Sequence, residues 1–353
     1  MLSTPLLVEA LHARATALGF DLFGIAPAHD SEYAAYFRAW LAAGRHGQME
    51  YLARRLAERV SPQTYFPGCR SVLCVAVNYH TPAAPPVAPH PADDPTAVPG
   101  RVARYAWGED YHEPIKEKLH QLADHLRELA PDAETRCAVD TAPVAERELA
   151  ARAGLGWIGK NTCLIHPRMG SWLLLGVVLT TLELPASKSL PPQGHCGSCT
   201  RCLDACPTDA LHPDRPYQLD ASQCIAYLTI EHRGEIPPTL AEAVGDWLFG
   251  CDICQDVCPF NRKAPSADLT ANPFLTPRIP DGRVNARDVL GWTLERWHDF
   301  SRRTAIRRLG LPLFQRNAAV VVRNHDARQP ACRPDDTAAG TPTPPPPAAD
   351  GPG

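Results

Sequence analysis

The sequence lacks the segments that export a protein or hold it in a membrane. No apolar stretch of the secretory type follows Met1, and no twin-arginine motif is present. The longest apolar run, from Trp172 to Thr181, is much shorter than the roughly 20 residues that span a bilayer. We therefore expect a cytoplasmic protein without a membrane partner, in a compartment where thiols stay reduced and available to iron.

The sequence also lacks an excess of basic residues. Its 35 Lys and Arg residues stand against 39 Asp and Glu residues, which gives a formal net charge of −4. Any contact with nucleic acid must therefore use a local basic face. We predict such a face near the C-terminal end, where helical spacing would place Arg303 and Arg307 on one side. The cluster comprises Arg302, Arg303, Arg307, Arg308, Arg316 and Arg323. Phosphate binding would suit it, and an ordinary solvated helix is the alternative.

Cysteine, by contrast, is abundant, with 13 residues. The run from Cys196 to Pro207 reads C-x2-C-x2-C-x3-C-P, the bacterial signature for [4Fe–4S] clusters. The run from Cys251 to Pro259 lacks one upstream cysteine, which Cys224 can supply. Because the cysteine before each proline reaches the other cluster, we predict two ligand sets. The first is Cys196, Cys199, Cys202 and Cys258, and the second is Cys206, Cys224, Cys251 and Cys254.

Two alternatives to clusters fit the cysteine pattern less well. Structural zinc usually takes two C-x2-C pairs, and disulfides need an oxidising compartment. The five cysteines outside the runs are expected to be small core residues: Cys69, Cys74, Cys137, Cys163 and Cys332.

The hydrophobic pattern divides the chain into four regions. Alternating helices and strands predict an α/β domain over residues 1–190, followed by a cluster domain over 191–265. Residues 266–325 read as a basic helical region, and the Pro-rich tail, 326–353, is expected to be disordered. A Pro-rich loop, Thr81 to Gly100, is expected to be mobile. The expected helices are Leu6 to Leu18, Tyr33 to Leu41, Met49 to Arg59, Asp110 to Ala130 and Val144 to Ala153. The expected strands are Asp21 to Ala26, Ser71 to Tyr79, Thr135 to Val139, and one or two within Trp172 to Leu184.

Gly154, Gly156 and Gly159 match a dinucleotide fingerprint and nearly match a P-loop. Both interpretations fail, because these glycines close a predicted helix instead of opening one, and Asn161 replaces the Ser or Thr that would hold Mg²⁺. We predict a C-terminal helix turn here.

Asp140 follows a predicted strand, and Pro143 prevents that strand from continuing. In open α/β sheets, strand ends of this kind line the ligand crevice. The equal alternative is that Asp140 caps the following helix. Asp110, Tyr111 and His112 resemble the start of D-x-H-x-x-G, which supplies a histidine ligand to cobalamin, but Ile115 replaces the glycine. We expect His112 to be a solvent-facing or capping residue and not a cobalt ligand.

Together, several segments resemble the epoxyqueuosine reductases over residues 1 to about 325. They are 58–62 (ERVSP), 103–112 (ARYAWGEDYH), 139–143 (VDTAP), 153–161 (AGLGWIGKN), 305–310 (AIRRLG) and the two cysteine runs. The resemblance implies a nitroreductase-like cobalamin-binding domain, a bacterial ferredoxin-like domain with two [4Fe–4S] clusters, and a short helical C-terminal region. It also implies base-off cobalamin and a catalytic acid at Asp140. That acid must be protonated near neutral pH, and burial would raise its pKa in the needed direction. The implied cobalamin contacts are Arg59, Ala103, Asp140, Lys160, Asn161, Leu164, Leu175, Ala226, Cys251 and Asp252. Some family members carry a cysteine where Ala103 stands, so a backbone or packing contact is expected there.

The resemblance implies reduction of epoxyqueuosine to queuosine at the wobble position of a tRNA anticodon. Electrons would come singly from a reduced flavodoxin or ferredoxin, and Arg307 and Arg308 are the candidates for tRNA phosphate contacts. We expect a monomer. Two alternatives stay open at this point: a corrinoid reductive dehalogenase-like enzyme, and an iron–sulfur electron-transfer protein without substrate chemistry.

Overall fold

The computed structural model describes residues 3–81, 96–188 and 196–328. The α-helices are α1 (Thr4–Ala17), α2 (Ala34–Ala42), α3 (Tyr51–Arg54), α4 (Leu56–Val60), α5 (Pro62–Tyr65), α6 (His112–Leu129), α7 (Glu146–Arg152), α8 (Arg201–Asp204), α9 (Ile225–Ile230), α10 (Pro238–Ala241), α11 (Ile253–Asp256), α12 (Ala286–Val289), α13 (Leu294–Ser301) and α14 (Leu311–Arg328). The strands are β1 (Leu22–Pro27), β2 (Ser71–Asn78), β3 (Pro99–Val102), β4 (Thr135–Ala138), β5 (Trp157–Ile158), β6 (Leu164–Ile165), β7 (Leu173–Thr180), β8 (Trp247–Phe249) and β9 (Arg283–Asn285).

The central sheet has the strand order β1-β2-β7-β4, and every neighbouring pair is antiparallel. All eight residues of β2 are buried, because the sheet is covered on both faces. Leu73, Val75 and Val77 pack into the core that includes α1 and α6. The alternate residues Val72 and Cys74, with Ala76, pack on the opposite face with α7. The period of two along β2 thus explains its continuous apolar sequence.

Most predicted elements of this first region are confirmed, with ends that differ by at most four residues. The expected helix from Met49 to Arg59 is instead two short helices, because Arg55 leaves the helical conformation at φ −119°. The segment from Trp172 to Leu184 forms one strand, β7. The position of Asp140 after a strand does not by itself place it in a ligand crevice, because that relation holds for parallel strands and this sheet is antiparallel.

A second, three-stranded sheet has the order β8-β3-β9. It takes one strand from each of the predicted regions 1–190, 191–265 and 266–325. Its core includes Trp107, Phe249, Trp297 and Phe314. These three regions therefore share a hydrophobic core and pack as one body.

The residues after 265 are mainly helical, as predicted, but the basic cluster does not lie on one helix face. Arg303 has a left-handed backbone (φ 59°) and precedes a 3-10 helix, Ala305–Leu309, that carries Arg307. The prediction that Arg303 and Arg307 share a helix face is therefore wrong. Helix α14 continues to Arg328, past the predicted end of the helical region at 325.

Some expectations fall on residues that the structure does not describe. Cys332 and nearly all of the predicted tail lie outside the described residues, as do 82–95 of the predicted mobile loop. The end of that loop is ordered, since Pro99 and Gly100 begin β3. Among the described residues, no helix has the length and apolar character needed to cross a membrane.

Candidate active site

Asp140 lies in the loop between β4 and α7. Its backbone is left-handed (φ 49°), a conformation that Asp tolerates better than most residues. Its amide donates to Glu146 Oε1 at 2.7 Å, and its Oδ2 lies 3.1 Å from His112 Nε2. The capping alternative is wrong, because the residue before the first turn of α7 is Ala145.

His112, at the start of α6, is held between two carboxylates. Its Nδ1 lies 2.6 Å from Asp110 Oδ1, and its ring stacks on Tyr111 with centroids 4.3 Å apart. Its side chain is only 21% exposed, so the expectation of a solvent-facing or capping residue is wrong. The sequence interpretation missed His112 as a partner of Asp140.

The pKa values of this pair place the proton on the histidine. Burial alone would lower the pKa of His112, but the hydrogen bonds to Asp110 and Asp140 raise it to about 9. Burial would raise the pKa of Asp140, but the hydrogen bond and charge of His112, with the charge of Arg308, hold it below its usual range. The Asp140 side chain is also 49% exposed. The expectation of an Asp140 protonated by burial is therefore wrong in this structure, and the proton of the pair lies on His112.

Glu146 was also missed, and it has the opposite character to Asp140. Burial, followed by the negative charge of Asp140, raises the pKa of Glu146 to about 8. At neutral pH the site thus combines a cationic His112, an anionic Asp140 and a neutral Glu146.

The first predicted cysteine set surrounds one small cavity. Cys196, Cys199, Cys202 and Cys258 line it, together with Lys160 and Phe260. The charges of Cys196, Cys258 and Cys199 add to burial in raising the pKa of the Cys202 thiol. The structure therefore brings these four thiols together, although the two cysteine runs are far apart in sequence.

The second predicted set is brought together in the same way. The charges of Cys224 and Cys206 help to raise the pKa of Cys251. Those of Cys251 and Cys224 help to raise the pKa of Cys254. Cys163 was expected to be an ordinary core cysteine, but it lies close enough to Cys254 for each thiol to shift the pKa of the other.

The described residues contain no group of three or more His, Cys, Asp or Glu side chains that could hold a single metal ion. A [4Fe–4S] cluster makes no such demand, because each of its irons takes one cysteine.

Arg59, on α4, provides a test of whether a large polar cofactor fits. Its Nε is buried and has no hydrogen-bond partner. Buried donors are normally paired, so this nitrogen calls for an acceptor that the chain itself does not offer. The amide-rich rim of a corrin would offer such acceptors.

Lys160 and Asn161 contact the cysteine loops. Lys160 Nζ donates to the carbonyls of Gly197 at 2.8 Å and Cys199 at 3.0 Å. The buried Asn161 accepts from the amide of Cys163 at 3.2 Å and donates to the carbonyl of Cys254 at 3.4 Å. The two residues therefore link the glycine turn to both predicted cysteine sets.

Asp252 and Ala103 lie where β3 approaches β8. The buried Asp252 accepts from the amide of Arg104 at 2.7 Å. The amide of Ala103 donates to the carbonyl of Phe249 at 2.8 Å. Gly250 has φ +70°, and a Cβ on it would lie 2.5 Å from Ala103 Cβ. A glycine is thus required for this close approach.

The remaining candidates for cofactor contacts come from three further segments. Leu164 lies in β6, Leu175 in β7, Ala226 in α9 and Cys251 directly before Asp252.

The glycine turn behaves as predicted. Gly154, at φ +83°, follows α7, and its amide donates to the carbonyl of Ala151. A Cβ on Gly156 would lie 2.4 Å from the carbonyl oxygen of Ile165, so this glycine permits the close packing of β5 on β6.

Arg307 and Arg308 are both exposed on the 3-10 helix. Arg308 pairs with Glu231 at 2.5 Å, and its positive charge helps to lower the pKa of Asp140. Arg316 instead donates to the main-chain carbonyls of Leu228 and His232, each at 2.8 Å, so it stabilises the fold and is not a free phosphate ligand.

Comparisons with known proteins identify the family. The family model for the epoxyqueuosine reductase QueG (DUF1730) matches residues 59–141, and the model for a 4Fe-4S double cluster binding domain matches 195–261. The epoxyqueuosine reductase of Gloeobacter violaceus is 42% identical over 315 residues, covering 87% of this chain and 93% of that protein. That of Pseudomonas aeruginosa is 38% identical over 307 residues, covering 87% and 82%.

Solved structures agree with these sequence matches. The crystal structure of an epoxyqueuosine reductase with an epoxyqueuosine-modified tRNA-Tyr stem loop matches with a TM-score of 0.79 at 29% identity, covering 91% of this chain and 82% of that one. The Bacillus subtilis enzyme, with its catalytic aspartate loop swung out of the active site, matches with a TM-score of 0.80 at 28% identity, covering 92% and 83%. With these matches over most of its length, the chain belongs to the epoxyqueuosine reductase family and carries that family's domain for two [4Fe–4S] clusters.

Proposed function

We propose that this protein reduces epoxyqueuosine to queuosine at the wobble position of tRNA. The observation that carries the proposal is the His112–Asp140 pair, 3.1 Å apart, in a chain that also contains a double [4Fe–4S] domain. The reaction breaks both C–O bonds of the epoxide and forms a C=C bond. It consumes two electrons and two protons, and the oxygen leaves as water. The site thus needs a source of single electrons and a positioned acid.

The two cysteine sets would hold the two clusters, which would provide a route for electrons from a reduced flavodoxin or ferredoxin. A bound cobalamin would supply the reductive chemistry that the epoxide carbon requires. The residues proposed to hold it are Arg59, Ala103, Asp140, Lys160, Asn161, Leu164, Leu175, Ala226, Cys251 and Asp252. The unpaired Nε of Arg59 supports this assignment.

Both ring nitrogens of His112 are already engaged, by Asp110 and by Asp140. A histidine can bind a metal only through a nitrogen with a free lone pair. This geometry supports the expectation that His112 is not a cobalt ligand.

Asp140 is proposed as the catalytic acid, with His112 as its source of protons. The exposed half of the Asp140 side chain faces open space, whereas His112 is largely enclosed. At neutral pH the pair holds one proton, and the histidine carries it because the pKa of His112 is raised to about 9. As charge develops on the epoxide oxygen, Asp140 passes this proton to it, and the second proton of the departing water comes from solvent.

Arg307 and Arg308 are proposed to bind tRNA phosphates. The positive charge of Arg308 helps to lower the pKa of Asp140, which supports a position of this arginine near the candidate acid. A nucleotide from an anticodon loop can be splayed out and bound singly, and Arg307 and Arg308 would then contact its neighbouring phosphates.

Finer expectations belong to the same proposal. They are a nitroreductase-like fold for residues 1–190, a ferredoxin-like domain over 191–265 and a basic helical region over 266–325. They also include a monomeric state and a cytoplasmic location.

The test is an anaerobic assay on tRNA that contains epoxyqueuosine. Protein reconstituted with iron, sulfide and cobalamin is mixed with a reduced one-electron donor, and the tRNA nucleosides are then weighed by mass spectrometry. We expect a product one oxygen lighter than epoxyqueuosine. An unchanged nucleoside with intact clusters and bound cobalamin would overturn the proposal.

A further inference from the structure

We propose that Glu146 is a positioning residue that holds the Asp140 loop in its left-handed conformation. The inference rests on the proposed function only in naming Asp140 as the catalytic acid. Glu146 does not face the substrate in this account. It acts on Asp140 through the main chain.

The geometry of the loop carries the inference. Glu146 Oε1 accepts a 2.7 Å hydrogen bond from the amide of Asp140. The amides of Thr141 and Val144 donate within the loop, to the carbonyls of Val139 and Ala142. The Glu146 contact therefore ties the loop to the first turn of α7, and so to the rigid body of the domain.

The backbone of Asp140 gives this tie its importance. A non-glycine residue at φ 49° stays there only when its surroundings enforce the conformation. Asp140 is fixed on one side by its amide and on the other by His112, whose Nε2 lies 3.1 Å from its carboxylate. Removing the amide contact leaves only side-chain contacts to hold an unfavourable backbone.

Helix α7 is a firm anchor for this purpose. Leu149 and Ala150 are buried against the sheet, and the helix packs on β1, β2 and β7. Glu146 itself is enclosed near Arg59 and Arg147, whose charges oppose the rise in its pKa. The neutral form that results adds no second negative charge beside Asp140.

Glu148 offers a matched control on the same helix. Its carboxylate accepts from the amide of Glu32 at 2.9 Å and from Ser31 Oγ, and it pairs with Arg152 at 2.7 Å. It thus ties a different loop to α7. Glu148→Ala removes an equivalent carboxylate without touching the Asp140 loop.

The experiment measures hydrogen–deuterium exchange of the full chain in Glu146→Ala, Glu146→Gln and Glu148→Ala. For Glu146→Ala we expect exchange at 139–145 to rise by about tenfold or more, because the loop opens without global unfolding. Glu146→Gln keeps an acceptor oxygen and should exchange like the wild type. Glu148→Ala should speed exchange near residues 31–33 and leave 139–145 unchanged.

Turnover on epoxyqueuosine tRNA is the second readout. Glu146→Ala should lower kcat by about 10- to 100-fold with little change in KM, since a displaced acid affects chemistry more than binding. Unchanged exchange at 139–145 in Glu146→Ala, or a Gln variant as defective as the Ala variant, would overturn the inference. So would faster exchange with normal kcat.

Two further cases are covered by the same measurements. If Glu146→Ala does not fold, Glu146→Asp withdraws the carboxylate by one methylene and tests the same contact, with the same expected increase in exchange. If the wild type reduces no epoxyqueuosine, the proposed function fails, while the exchange data still decide whether Glu146 holds the loop.

Discussion

His112 Nε2 lies 3.1 Å from Asp140 Oδ2, although 28 residues separate the two in sequence. The helix that begins at His112 and the loop that follows β4 meet at this contact. The pair, and not Asp140 alone, is the unit that stores the proton for the proposed reaction.

Replacing His112 tests this point directly. We expect His112→Gln to lower kcat by about 10²- to 10⁴-fold, the range for loss of a general acid, while cluster content stays normal. Asp140→Asn should lower kcat by a similar factor. The double variant should be little worse than either single one, because the two residues act as a unit. Additive losses, measured as kcat for all three variants, would contradict the pairing.

The pair also predicts how stability depends on pH. The pKa of His112 is raised from 6.5 to about 9 on folding, so its contribution is fully present below about pH 6.5 and is lost as pH rises through 9. Because its carboxylate partners are partly exposed, we expect only about 1–2 kcal/mol. Urea unfolding of wild type and His112→Gln should differ by this amount at pH 6 and converge above pH 9.5. A difference that persists at high pH would assign the effect to packing.

The cysteine assignment predicts which substitutions act together. Cys202→Ser and Cys258→Ser should each destabilise the same cluster, while Cys206→Ser and Cys224→Ser should affect the other. Iron analysis and electron paramagnetic resonance after anaerobic reconstitution should give two spectral classes of variant. Cys163→Ser is the control, since Cys163 contacts Cys254 but belongs to neither set. If Cys258→Ser falls into the class of Cys224→Ser, and Cys206→Ser into that of Cys202→Ser, the crossing of ligands between the two runs is wrong.

The proposed phosphate contacts of Arg307 and Arg308 predict how tRNA binding depends on salt. Replacing both Arg307 and Arg308 by Ala should weaken tRNA binding and reduce the slope of log K against log salt by about 1–2. Arg316→Ala should instead reduce stability, because its guanidinium holds the carbonyls of Leu228 and His232. Binding titrations at several salt concentrations measure the first effect. An unchanged slope would make Arg307 and Arg308 ordinary solvated residues.

Much of the fold was predictable because the information is local. The buried strand β2 reads as a continuous apolar run, and the glycine turn after α7 uses a residue that adopts φ +83°. The spacing of the cysteine runs likewise indicates [4Fe–4S] clusters without any knowledge of the fold. Helix and strand types could therefore be predicted, and so could the family.

The errors arose where residues distant in sequence meet. The sheet is antiparallel, which periodicity cannot distinguish from parallel when both faces are buried. The pKa of Asp140 was predicted in the wrong direction, because His112 supplies a counter-charge that only the fold brings close. Arg303 left the predicted helix because a left-handed turn precedes the 3-10 segment. Glu146 carried one weak signal: a glutamate at the first helical turn after a loop, where it can accept a backbone amide.

The most direct measurement of the central claim is made on tRNA from cells that lack this gene. Nucleosides from the deletion strain should contain a species one oxygen heavier than queuosine, and the wild-type gene should convert it to queuosine. The gene encoding Asp140→Asn should not restore queuosine. Normal queuosine in the deletion strain, in the absence of a second reductase, would contradict the account.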